Sequence, residues 1–152
     1  MKKLFAAVRA GDLSKVQALV DANPSLAIFA AAILGQTDQL EKMIGNDRSL
    51  VSAVSEDGWT PLHLAAFFGR EDAARLLLNK GAQPSARSTN AMANTALHAA
   101  AQSGDVPIAR ALLDNGADAS ARAGNQQRPI DLALTGGHQA MVELLEARGA
   151  SL

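Results

Sequence analysis

The stretch GWTPLHLAAFFGR, residues 58–70, decides the fold: it sets a histidine inside an apolar, helix-like run and closes on two adjacent phenylalanines and a glycine. Taken alone, His63 is a candidate ligand or catalyst. A recurring frame changes its meaning, because a histidine repeated in a repeated frame usually serves the frame. Glycines supply the ruler. Gly69, Gly104 and Gly137 lie 35 and 33 residues apart, each followed twelve residues later by Gly81, Gly116 and Gly149 and preceded nine residues earlier by Thr60, Thr95 and Arg128. Two weaker copies are anchored on Gly11 and Gly35, with ANPSLA and NDRSLV at matching places, so the chain reads as five units.

Counting from the first glycine of each unit, apolar residues fall at offsets five, eight and nine: Val16, Leu19, Val20; Leu40, Met43, Ile44; Ala74, Leu77, Leu78; Ala109, Leu112, Leu113. This is the spacing of one helix face. The last unit holds Val142, Leu145 and Glu146 there, turning polar as a terminal unit with one solvent-facing side must. Before the turn glycine, TPLHLAAF places Thr60 at an N-cap and Pro61 at the first helical position, where its missing N–H costs nothing. Each unit is therefore a short helix, a glycine turn, a second short helix and a glycine C-cap. Helices of roughly eight to ten residues are marginal alone, since about 12–15 are needed even for good formers, so they persist only by stacking.

The stretch DGWTPLHLAAFFGREDAARLLLNKGAQPSA and its echo NTALHAAAQSGDVPIARALLDNGADASA resemble the ankyrin repeat, and the resemblance extends over essentially the whole chain. It implies an all-α solenoid of five stacked helix–turn–helix units, with short β-hairpin fingers between repeats and a concave face made by inner helices and fingers. One domain over residues 1–152 is expected, with approximate repeats 1–24, 25–55, 56–88, 89–122 and 123–152, the first and last acting as caps. The degenerate units at both ends lead us to expect a complete array, not a fragment of a scaffold. Two departures stand out. Gly11 and Gly35 are only 24 residues apart, so a tight loop around Pro24 should replace the first finger, whereas ARSTNAMAN lengthens the finger between the third and fourth repeats. RPIDLA in the last unit replaces TPLHLA and loses the capping threonine.

Aligned, the units put Phe5, Phe29, His63, His98 and Asp131 at one position. His63, His98 and Asp131 together would make a two-histidine, one-carboxylate metal or acid–base site. Against it, each histidine lies three residues after a capping threonine, as in a capping box. Inner helices packed about 8–10 Å apart also set the outer two of the three much farther apart, so one ion with metal–nitrogen bonds of roughly 2.0–2.1 Å cannot easily touch all three side chains. A structural role is the better reading, and the resemblance implies the same for His138 in its Gly-His turn. Nothing else speaks for an enzyme or a cofactor: no nucleophile elbow, dinucleotide fingerprint, phosphate loop or H-E-x-x-H occurs. Glu56, Asp57, Glu71 and Asp72 read as a finger tip and a helix N-terminus, where acids are ordinary.

Composition agrees with a soluble binding protein. Of 152 residues, 48% are hydrophobic and 19% charged, and 14 basic against 15 acidic residues leave a net charge of −1. Without a basic run there is no footprint for nucleic acid or an anionic membrane. The opening MKKLFAAVRAGD stops its apolar run at Arg9, short of the roughly 7–15 residues of a signal sequence, so it is expected to belong to the mature protein. Cysteine is absent, which leaves the compartment open, with the cytoplasm as default expectation.

In ankyrin repeats the two residues before each turn glycine vary and face the concave side; here they are Arg9-Ala10, Ile33-Leu34, Phe67-Phe68, Gln102-Ser103 and Thr135-Gly136. Repeat three concentrates aromatic surface in Trp59, Phe67 and Phe68, the residue types enriched in interface hot spots. In the competing reading one phenylalanine packs between repeats and Trp59 only fills a variable place. Arg87, Ser88, Asn90, Met92 and Asn94 on the long finger, followed by Gln102, Ser103, Gln127 and Arg128, would extend the patch as a polar rim. The expected activity is recognition of a protein or peptide by a non-catalytic monomer.

Overall fold

A computed structural model describes residues 1–152, and its helices follow the expected frame pair by pair. The pairs are α1 (Lys2–Arg9) with α2 (Leu13–Ala22), α3 (Ala27–Leu34) with α4 (Thr37–Asn46), and α5 (Pro61–Phe67) with α6 (Glu71–Asn79). They continue as α7 (Ala96–Ser103) with α8 (Val106–Asp114) and α9 (Pro129–Thr135) with α10 (Gln139–Ala147). Helices α3, α5, α7 and α9 pack in one layer, α4, α6, α8 and α10 in a second. None is long and apolar enough to cross a membrane.

The apolar offsets become the seam between layers. Leu40, Ile44, Leu77, Leu78, Leu112, Leu113, Val142 and Leu145 are buried, while Leu19, Val20 and Met43 are half-buried. Glu146 is exposed, as its place in the last unit requires. Inner helices are rich in alanine because their neighbours approach on both sides, and α3 is the extreme case: Ile28 through Ile33 are all buried. Short side chains let adjacent backbones close without voids.

The two early loops are built alike. Asn23 accepts from the Ser25 amide (3.2 Å) and hydroxyl (2.6 Å) to start a 3-10 turn at Pro24–Leu26, and Asp47 does the same with Ser49 for the turn at Arg48–Ser52. The Ser49 bonds hold the Asp47 carboxyl below its ordinary value. A tight loop thus stands at Pro24, as the short spacing predicts.

The fingers differ from the β-hairpins expected, since no strand forms. Each is a turn in which one backbone bond crosses between the arms, from Ser55 to Trp59, Ser88 to Asn94 and Ala123 to Gln127, all 2.8 Å, around one turn bond, from Gly58 to Ser55 (2.8 Å), Ala93 to Asn90 (3.1 Å) and Gln126 to Ala123 (2.9 Å). A single cross-arm bond around a tight turn, with Ala93 and Gln126 at positive φ, leaves no ladder to extend. Order comes instead from stacking: Thr89 N–H donates to the Gly58 carbonyl (3.0 Å) and Gly124 N–H to that of Met92 (2.7 Å). At Gly124 a side chain is impossible without movement, because a Cβ would lie 2.3 Å from the Ala91 carbonyl oxygen.

Candidate interaction groove

The groove starts with the way inner helices begin. Thr60 caps α5, and its backbone N–H (3.3 Å) and hydroxyl (2.7 Å) both contact His63 Nδ1. Nδ1 therefore accepts, and the network assigns the proton to Nε2, which donates to the Asn94 carbonyl at 2.8 Å. His98 repeats the arrangement with Thr95 (3.1 and 2.8 Å) and the Gln127 carbonyl (3.0 Å). Each histidine closes one helix start and ties it to the following finger. Burial lowers the pKa of both, since it penalises the charged ring more than the carbonyl partners favour it.

In the last unit Arg128 and Asp131 perform the same work with different chemistry. The Asp131 carboxylate accepts from the Arg128 backbone (2.9 Å) and guanidinium (2.8 Å), while Arg128 Nη1 donates onward to the Ser151 carbonyl at 2.7 Å. The Arg128 bond holds the Asp131 carboxyl below its usual value, and Asp131 raises that of Arg128. Both imidazoles are engaged at both nitrogens, and no three of the chain's His, Asp and Glu side chains stand close enough to hold a metal ion. His63, His98 and Asp131 thus do not converge. His138 also braces, through Nε2 to the Gln102 carbonyl (3.0 Å), as Arg70 does to Ile33 (2.7 Å).

Beside the His63 brace lies a cavity of about 210 Å³. Trp59, Phe67, Met92, Asn94 and Gln102, all expected at an interface, line it. Phe67 and Met92 are each 53% exposed, and Trp59 stands edge-on to the His63 ring at 5.7 Å. A neighbouring depression of about 330 Å³ shares Met92, Asn94 and Gln102 and adds Gln127, so the two form one groove along the finger side.

The remaining expected residues are used within the fold. Phe68 is half-buried between Phe5 (5.6 Å) and Phe67 (5.3 Å), so one of the two phenylalanines packs and the other faces out. Arg87 donates to the Arg122 carbonyl (2.6 Å) and lines a different depression, with Val51 and Val54. Asn90 donates to the Asp57 carbonyl (2.9 Å) and accepts from Ser88 and Met92, organising the long finger. The Ser103 hydroxyl turns back to the carbonyls of Ala99 and Ala100 (3.2 Å each). Arg128 is held by Asp131 and Ser151.

Phe5 and Arg9 line the cavity as well, and sequence reasoning did not assign them to it. The signal was present in the frame: Arg9, Phe67 and Gln102 occupy one place, two residues before the turn glycine. Ile33 and Thr135 share that place but not the cavity. Ile33 is fully buried, and the Thr135 hydroxyl is bonded to the Asp131 carbonyl (2.9 Å).

Stacked helix pairs in this order define a repeat solenoid, here with an aromatic-lined groove along its finger side. A family model described as ankyrin repeats (3 copies) matches residues 4–88 and again residues 84–152, and the chain belongs to the ankyrin-repeat family. Among known proteins it is similar to the DNA-binding protein RFXANK of Homo sapiens, 37% identical over 76 residues, which is 50% of this chain and 28% of that protein. It is also similar to protein phosphatase 1 regulatory subunit 12A of Mus musculus and of Rattus norvegicus, 44% identical over 55 residues, or 35% of this chain and 5% of either relative. The chain thus spans little more than a quarter of the first of these relatives and far less of the other two. Ankyrin repeats are generally protein–protein interaction modules.

Proposed function

We propose that the protein is a non-catalytic, monomeric recognition module that docks a protein or peptide on its concave groove. The observation that carries the reading is the convergence of Trp59, Phe67 and Met92 on one cavity, with Asn94 and Gln102 at its edge. Exposed aromatic and thioether side chains lose much water-contacting surface on docking, and such residues dominate interface energetics. Gln127 extends the surface along the adjoining depression. In this reading Phe68, Arg87, Asn90, Ser103 and Arg128 shape the face and do not touch the partner. The near-neutral charge of −1 supports a protein partner over nucleic acid. The similarity to a phosphatase regulatory subunit is in keeping with a regulatory role.

The test compares wild type with Trp59→Ala/Phe67→Ala in affinity purification from native extract, after circular dichroism shows both folded. The reading expects a partner retained by wild type and lost by the variant. A partner held equally by both would move recognition off the groove. Trp59, the sole tryptophan, gives a second readout, because occupancy should shift its emission.

A further inference from the structure

We infer that the groove takes an extended peptide segment presenting one large apolar side chain to the cavity and a nearby carboxylate to Arg9, an inference that rests on the binding-module reading above. Size argues first. At about 210 Å³ the cavity is smaller than the roughly 300–1,000 Å³ of sites that engulf a whole small molecule. It suits a single anchoring side chain, with Phe5, Leu64, Phe67 and Ala99 supplying apolar walls.

Charge identifies the neighbour of that anchor. Arg9 is the only formally charged residue lining the cavity, and the adjoining depression has none. Unlike Arg70, Arg75, Arg87, Arg122, Arg128 and Arg148, whose side chains are bonded within the fold, the exposed Arg9 guanidinium makes neither an ion pair nor a hydrogen bond. The one lining histidine, His63, has both ring nitrogens engaged, and burial lowers its pKa. An unpaired guanidinium beside apolar walls selects a carboxylate, which it can bind through paired N–H donors.

The amides favour an extended main chain. The side-chain carboxamides of Asn94 and Gln102 make no hydrogen bond within the chain, although the backbone carbonyls of both residues are occupied by histidines. Each carboxamide offers a donor and an acceptor, the complement of a peptide unit. Both residues stand where the two depressions meet, so a segment anchored in the first would run on past Gln127.

A displayed library of random twelve-residue peptides, panned on the full chain, tests this directly. Enriched sequences should pair a large apolar residue with Asp or Glu a few positions away. A synthetic copy should shift Trp59 emission and bind about tenfold more weakly to Arg9→Glu, with a smaller loss for Arg9→Gln. Panning on Arg9→Glu should exchange the acidic preference for a basic one. Lys15→Glu, the same charge change on α2 away from the groove, should leave affinity unaltered, and raised salt should weaken wild-type binding. Enriched peptides without an acidic preference, bound equally by Arg9→Glu, would overturn the carboxylate contact while leaving the binding module standing. Peptides that leave Trp59 emission unmoved would overturn the site. Failure to enrich any peptide, with an extract partner still captured through Trp59 and Phe67, would overturn the extended-segment inference alone.

Discussion

The ring of Phe5 packs 5.6 Å from that of Phe68, joining α1 to the end of α5 across the intervening α3. The contact brings the first repeat to the third, and the groove of the third and fourth repeats accordingly includes Phe5 and Arg9 of the first. Phe5 lines the cavity together with Phe67, while Phe68 packs against both rings.

Phe5→Ala should therefore loosen the first helix pair. Removing a half-buried ring with one aromatic neighbour should cost about 1–2 kcal/mol, below the range for fully buried phenylalanine. Urea denaturation would measure it. Hydrogen exchange should show the loss first in α1, and Trp59 emission should change as the cavity loses its Phe5 wall.

Stability should fall with acid through the two bracing histidines. Their folded pKa values lie below the ordinary 6.5, so the unfolded chain binds protons more readily in this region. Their contribution is complete above about pH 6.5 and declines as pH falls from there through the lowered folded values. Protonation would place a hydrogen on Nδ1 against the Thr60 or Thr95 amide. Denaturation midpoints measured from about pH 7.5 to about pH 5 should drop for wild type and drop less for His63→Gln/His98→Gln; equal slopes would contradict the prediction.

Gly11 and Gly104 hold nearly the same left-handed conformation, at φ +69 and +71, but in different surroundings. A Cβ on Gly11 meets nothing within 4 Å, so Gly11→Ala should cost about 1 kcal/mol of backbone strain. On Gly104 it would lie 2.6 Å from His138 Nδ1, whose ring is tied to the Gln102 carbonyl. Gly104→Ala should then cost about 2–4 kcal/mol, seen as a larger fall in denaturation midpoint.

Ser88 is the keystone of the long finger: buried, it accepts the Asn94 N–H at 3.0 Å and donates to Asn90 Oδ1 at 2.9 Å. Ser88→Ala should cost about 1–3 kcal/mol by leaving these groups without their partner. Because Met92 and Asn94 line the groove, partner affinity should fall further than stability alone accounts for. Isothermal titration on the folded fraction would separate the two.

The amino-acid order by itself determined the helix pairs, their glycine turns and the structural use of the histidines. Those features rest on interactions within a few residues: a cap and its N3 partner, a three-to-four apolar spacing, a glycine that alone tolerates a left-handed turn. Trp59, Phe67, Met92, Asn94 and Gln102 were legible as surface because they stand at variable places of a regular frame. The tertiary structure decided which frame-equivalent positions face out. Ile33 and Phe67 occupy one place, yet one is sealed and the other open, because exposure depends on what packs across the repeat. Arg87 and Arg128, expected in the polar rim, donate to the carbonyls of Arg122 and Ser151, partners that only the tertiary structure brings near. The fingers form no strand, and what orders them against one another is bonding between repeats, from Thr89 to Gly58 and from Gly124 to Met92, which no spacing within one repeat encodes.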